Sequence, residues 1–94
     1  MKVKLASKLI DKLKKQDVRL RKSFKKAIDL FSKDPSHPSW NNHDLHKEWK
    51  GHRSIDITND YRAIYEEITE GENPVAYFVG LGTHEDLYEK ETSY

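Results

Sequence analysis

A histidine closes the run Gly82-Thr83-His84, soon after the apolar, strand-like Val75-Ala76-Tyr77-Phe78-Val79. An imidazole just past a buried strand is held firmly yet reaches solvent. Its ordinary pKa lies near neutrality, which fits it for proton transfer. Upstream, Asn59-Asp60-Tyr61-Arg62-Ala63-Ile64-Tyr65 brings a carboxylate and an arginine to a neighbouring strand. Arginine, carboxylate, histidine and tyrosine are the parts needed to cut a phosphodiester without a metal. RNA supplies its own nucleophile, the 2′-hydroxyl. Cleavage then needs a base for its proton, an acid for the departing 5′-oxygen and a cation for the phosphorane charge. His84 suits the acid or base role, and Asp60 could orient it or act as base. Arg62 suits the phosphate, because its fork pairs with two phosphate oxygens at once. Tyr88 could stack on a base or hold a phosphate oxygen. Plainer roles stand beside these: Arg62 in a structural ion pair, Asp60 as a turn residue, Tyr88 as an aromatic at the core's edge.

A second segment, His43-Asp44-Leu45-His46-Lys47-Glu48-Trp49-Lys50-Gly51-His52-Arg53, mixes histidines, basic residues and a tryptophan. As a functional element it is a basic, aromatic edge suited to RNA through His46, Lys47, Trp49, Lys50 and Arg53. As a structural one it is a polar loop anchored by Trp49. His43 and His46 have helical chelate spacing, but no H-E-x-x-H pattern accompanies them. No metal and no cofactor are expected.

These side chains need a scaffold. Val3 to Leu5 reads as a short strand. Ser7 reads as an N-cap, and Leu5, Leu9, Ile10 and Leu13 recur at helical spacing, giving a short helix from about Ser7 to Lys15. Asp17 caps a second helix, whose stripe Leu20, Phe24, Ala27, Ile28 and Phe31 ends near Lys33, before Asp34-Pro35. Pro35 to Asn42 is a loop. From Arg53 the period becomes two, with Ile55 and Ile57 alternating against Ser54 and Asp56. Turns at Asn59-Asp60 and Glu70-Gly71-Glu72-Asn73 separate strands over Tyr61–Ile68 and Pro74–Leu81. The expected fold is α+β: a short strand and a two-helix hairpin packed on a three- to four-stranded antiparallel sheet, one domain over residues 1–94. Asp56 should point away from the helices. Which side of the Arg62 strand is buried stays open, because the apolar alternation there is broken.

Composition narrows the function classes. Ninety-four residues without cysteine exclude disulfides and thiolate zinc sites. No apolar run approaches the ~20 residues of a membrane span, and the N-terminus lacks a signal-like apolar region. A cytoplasmic protein is expected. The net charge of +1 hides an asymmetry: residues 1–34 hold 12 Lys/Arg and four Asp/Glu, residues 35–94 five and 12. The basic half suits a polyanion or an acidic partner, or simply carries solvated helical lysines.

Taken in order, His43-Asp44-Leu45, Trp49-Lys50-Gly51-His52-Arg53, Asp60-Tyr61-Arg62-Ala63-Ile64-Tyr65 and Gly82-Thr83-His84 with Leu87-Tyr88 resemble the RelE/ParE superfamily of type II toxins, most closely its YafQ-like RelE branch. The resemblance implies a RelE-like fold and a bacterial, ribosome-dependent mRNA endonuclease that arrests growth. It also implies a cognate antitoxin that wraps the toxin and blocks its site. By position, His84 matches the catalytic histidine, Asp60 an active-site aspartate, Arg62 the phosphate-binding arginine, His43 the loop histidine and Tyr88 the C-terminal aromatic. Asp56 stands where that branch carries a second strand histidine, and Gly80 where it carries an arginine. Asp56 could act as base, although a solvated aspartate with a pKa of about 4 is a poor one at neutral pH. The ParE branch shares the fold but acts by binding DNA gyrase, so a toxin that binds a protein target without cutting RNA is the alternative.

Overall fold

The computed structural model describes residues 1–83 and 85–87. Strand β1 (Lys2–Leu5) leads into helices α1 (Ser7–Lys14) and α2 (Val18–Lys33). A short helical turn, Pro38–Trp40, precedes β2 (His43–Asp44), and another, Lys47–Trp49, precedes β3 (Arg53–Asp56). Strands β4 (Tyr61–Glu70) and β5 (Asn73–Thr83) complete the sheet. A further helical turn covers residues 85–87.

Asp17 caps α2 as expected: its side chain accepts a hydrogen bond from the Leu20 amide at 2.8 Å. At α1 the capping position is Ala6, one residue before Ser7, and no side chain caps it. The stripe Leu20, Phe24, Ala27 and Phe31 is buried against the sheet. There Phe31 makes edge-on contacts with Trp40, Tyr65 and Phe78 at centroid distances of 5.4–5.8 Å.

The α+β architecture is as expected, but the sheet has five strands in the order β1-β5-β4-β3-β2. β3, β4 and β5 form the antiparallel meander. β1 joins its far edge parallel to β5, so the sheet is mixed. A parallel partner cannot be reached by a tight turn; the helical hairpin and strands β2 to β4 lie between the two in the chain. β2 is two residues long and falls inside the polar segment that begins at His43, read from sequence as a loop.

The helices cover the face carrying Ile55, Ala63, Tyr65, Ala76 and Phe78. The opposite face is not simply open. Leu45, Ile64 and Leu87, with Trp49 and Val79, form a second apolar cluster there. Among the described residues no helix is long and apolar enough to cross a membrane.

Candidate active site

Register decides what shares the second face. Asp56 pairs with Arg62 across β3 and β4, and Arg62 pairs with Gly82 across β4 and β5. Cross-strand partners point to the same side. Asp56 therefore faces away from the helices, as expected, and Arg62 joins it.

Arg62 is 8% exposed, and its guanidinium is answered on several sides. Nε and one terminal nitrogen donate to Ser54 Oγ at 3.2 and 2.8 Å. The same terminal nitrogen donates to the Asn41 carbonyl at 3.0 Å. The other forms an ion pair with Asp56. Arg62 is thus a structural ion-pair partner, the plainer of the two roles the sequence left side by side, on the sheet face away from the helices.

His43 reaches the same cluster from β2, with Nδ1 3.0 Å from the Asn41 carbonyl and 3.4 Å from Arg62. A carbonyl only accepts, so the shorter contact is a hydrogen bond with the proton on Nδ1. The arginine, which only donates, is then a close neighbour of that nitrogen and not its hydrogen-bond partner. The neutral ring then presents Nε2 as an acceptor. His43 is exposed, so its ring reaches solvent.

Asp60 lies in the turn before β4, where its amide donates to Thr58 Oγ1 at 3.2 Å. It borders a polar depression with Asn59, Tyr61, Thr83 and Glu85. That depression adjoins the end of β5, since Thr83 pairs with Tyr61. His84 and Tyr88 lie outside the described residues.

The segment between β2 and β3 divides. His46, Lys47 and Lys50 are exposed, and Lys47 has a left-handed backbone with φ of 56°. Trp49 is half-buried: its indole donates to the Leu87 carbonyl at 2.9 Å, and its ring packs edge-on against His52 at 5.5 Å. Gly80 lies under that ring, since a Cβ there would sit 3.7 Å from Trp49 Cη2. The same Cβ would lie 3.5 Å from the Ile64 Cβ, so both neighbours stand at ordinary contact distance. Arg53 pairs with Tyr65 and so points to the helix side. There it donates to Asn42 Oδ1 at 2.7 Å and forms an ion pair with Asp44. It stands apart from the Arg62 cluster.

Two features escaped the sequence reading. Ser54 and the Asn41 carbonyl carry no charge, so no search for ionisable groups finds them. The Gly82-Thr83 pair also has a local logic. The Asp86 amide donates to Thr83 Oγ1 at 3.2 Å, and the Thr83 amide donates to Asp86 Oδ2 at 3.4 Å. This reciprocal cap starts the turn at residues 85–87. Thr83-x-x-Asp86 was the signal that could have shown it. Gly82 lets that turn close down: a Cβ there would lie 3.1 Å from Asp86 Cβ and 3.3 Å from Leu87 Cγ.

The family described as the bacterial toxin of type II toxin–antitoxin systems, YafQ, matches residues 2–89. No curated protein matches the sequence. Among solved structures, a YoeB/ParE toxin from Agrobacterium tumefaciens superposes with a TM-score of 0.68 at 18% identity, covering 89% of this chain and 99% of that one. YafQ from Escherichia coli superposes at 0.61 with 22% identity, covering 92% and 96%. YafQ in the E. coli DinJ–YafQ complex gives 0.54 at 23%, covering 92% and 96%. At these identities the solved structures speak to the fold, and the near-complete family match speaks to descent: the chain belongs to the YafQ family of type II toxin–antitoxin toxins.

Proposed function

We propose that this chain is a toxin that cuts mRNA on the ribosome by metal-free attack of the 2′-hydroxyl, with a cognate antitoxin as its binding partner. One observation carries the reading. In a member of the YafQ family, Asp56, Arg62 and His43 converge on the sheet face away from the helices. The antitoxin follows from the E. coli relative, found in a DinJ–YafQ toxin–antitoxin complex. Ribosome and mRNA follow from the family resemblance and the exposed basic residues, and a cytoplasmic location from those partners.

The roles divide by geometry and position. His43 Nε2 serves as the base toward the 2′-hydroxyl. His84, by its place in Gly-Thr-His, serves as acid for the 5′-oxygen, with Asp60 at the same end of the sheet and Tyr88 against the substrate. Arg62 supplies positive charge for the phosphorane, and Asp56, engaged by that arginine, acts as its counterion. His46, Lys47 and Lys50 line the approach of the RNA, with Trp49 and Arg53 supporting their segment.

Expression without antitoxin arrests growth, and mRNA ends mapped after induction fall inside the ribosomal A site. His84→Ala abolishes both while the protein stays folded. A folded His84→Ala protein with undiminished toxicity sinks the assignment. The Asp56–Arg62 ion pair favours a second reading, since it occupies both groups: a toxin of ParE type that binds a protein target. That reading expects growth arrest without mRNA cuts.

A further inference from the structure

We infer that Ser54 and Asn42 are positioning residues: Ser54 aims the Arg62 guanidinium, and Asn42 fixes the loop whose carbonyl and histidine close over it. Their effect on a reaction rests on the nuclease reading above, whereas the placement itself does not.

Ser54 is fully buried on β3, one position before Ile55 and diagonal to Arg62 on the same face. Its hydroxyl oxygen accepts from Nε at 3.2 Å and from a terminal nitrogen at 2.8 Å. Two donors along one edge of a planar fork thus meet a single oxygen. A hydroxyl offers two acceptor sites, and both are used. Turning the guanidinium would break both bonds together and strand buried donors, which is costly. Asp56 holds the other end of the fork, so the plane is fixed at two points.

Asn42 works on the opposite side of the sheet. Its Nδ2 donates to the Tyr65 hydroxyl at 2.7 Å, and its Oδ1 accepts from Arg53 Nε at 2.7 Å. Tyr65 is itself packed on Phe31 and Phe78 at 5.4 and 5.0 Å. Asn42 therefore ties the loop to the aromatic core. Its neighbours serve the other face: Asn41, held left-handed at φ of 50°, points its carbonyl at Arg62, and His43 stands beside them. The chain straddles the sheet edge, anchored through residue 42 and presenting residues 41 and 43.

The test reads the guanidinium directly. In ¹⁵N–¹H spectra of the parent, Arg62 gives an Nε–H signal protected from exchange with water, assigned by its loss in Arg62→Lys. Ser54→Ala loses that protection. It also lowers kcat for mRNA cleavage on translating ribosomes by about 10- to 100-fold, the scale of a misplaced group, with KM unchanged. Asn42→Leu does the same. Asn42→Asp restores both readouts, because a carboxylate still accepts from Arg53 and the Tyr65 hydroxyl can turn to donate. If Ser54→Ala does not fold, the Asn42 pair decides. A protected signal and full kcat in Ser54→Ala or Asn42→Leu overturn the inference, as does an Asn42→Asp protein as impaired as Asn42→Leu. If the parent itself cuts no mRNA, the nuclease reading falls and the Nε–H signal alone decides the placement.

Discussion

A guanidinium withdrawn from water needs acceptors on every side, and Asp56 brings a full negative charge to Arg62. Asp56 is itself part exposed, at 38% of its side chain, so the pair is screened more than a fully buried one. Asp56→Asn keeps an acceptor but removes the charge. It should lower unfolding free energy by about 1.5–3 kcal/mol at most, the range for hydrogen bonds to charged groups, as read from urea denaturation. An Asp56→Asn protein with parental stability but no cleavage would instead make Asp56 the base. The sequence showed that Asp56 turns from the helices and that Arg62 belongs with charge chemistry. It did not show which side of β4 Arg62 takes. The reason is physical: Arg62, Ala63, Ile64 and Tyr65 are all buried. Helices cover one face there, and Leu45, Trp49 and Leu87 cover the other, so the period-two signal disappears. Ser54 and Asn42 were invisible for a different reason. Their importance lies in partners 8 to 23 residues away, and a neutral side chain carries no mark of that.

At the scale of elements, helices and the antiparallel meander could be read from local signals: the Asp17 cap, the Phe24-to-Phe31 stripe, the turn at Gly71. The parallel pairing of β1 could not, because four residues specify a strand but not its partner. Beyond its backbone bonds and the packing of Val3 and Leu5 on the core, β1 is held by Glu70, which reaches past β5 to Lys2 at 3.1 Å and to Lys4. The Lys4 contact first, then Lys2, holds the Glu70 carboxyl below its ordinary pKa. A depressed folded pKa means the contribution is present above the unfolded value and is lost as pH falls through the folded one. Glu70→Gln should therefore lower Tm slightly at pH 7, by less at high salt. The gap should close in acid; a gap that persists below Glu70's folded pKa would contradict the ion-pair origin. The turn after β5 offers a second test. Gly82→Ala drives a Cβ against Asp86 and Leu87, and neither contact is the free end of a long side chain. The displaced turn releases the Leu87 carbonyl from the Trp49 indole. The Trp49 indole N–H resonance should move to its solvent position, with that of Trp40, bonded to the Asp34 carbonyl at 2.8 Å, unchanged.

Across the whole molecule the charge asymmetry becomes spatial. Five of the 12 basic residues of the first third, Arg19, Arg21, Lys22, Lys25 and Lys26, sit on the exposed side of α2. The Arg62 cluster occupies the opposite side of the sheet. A ribosome-bound nuclease would use the two sides differently: one for docking on RNA phosphates, one for the cut. Replacing Lys22, Lys25 and Lys26 with Glu leaves the buried stripe Leu20, Phe24, Ala27 and Phe31 untouched, so the fold should persist. Affinity for ribosomes should fall at low salt. The dependence of log K on log salt should flatten by about 0.7–0.9 for each phosphate contact removed. Cleavage rates measured with ribosomes at saturation should stay near parental, since no group of the Arg62 cluster has changed. An unchanged salt slope would make the helical lysines merely solvated. A lost cut at saturation would place the helical face inside the catalytic complex and undo the division of labour between the two sides.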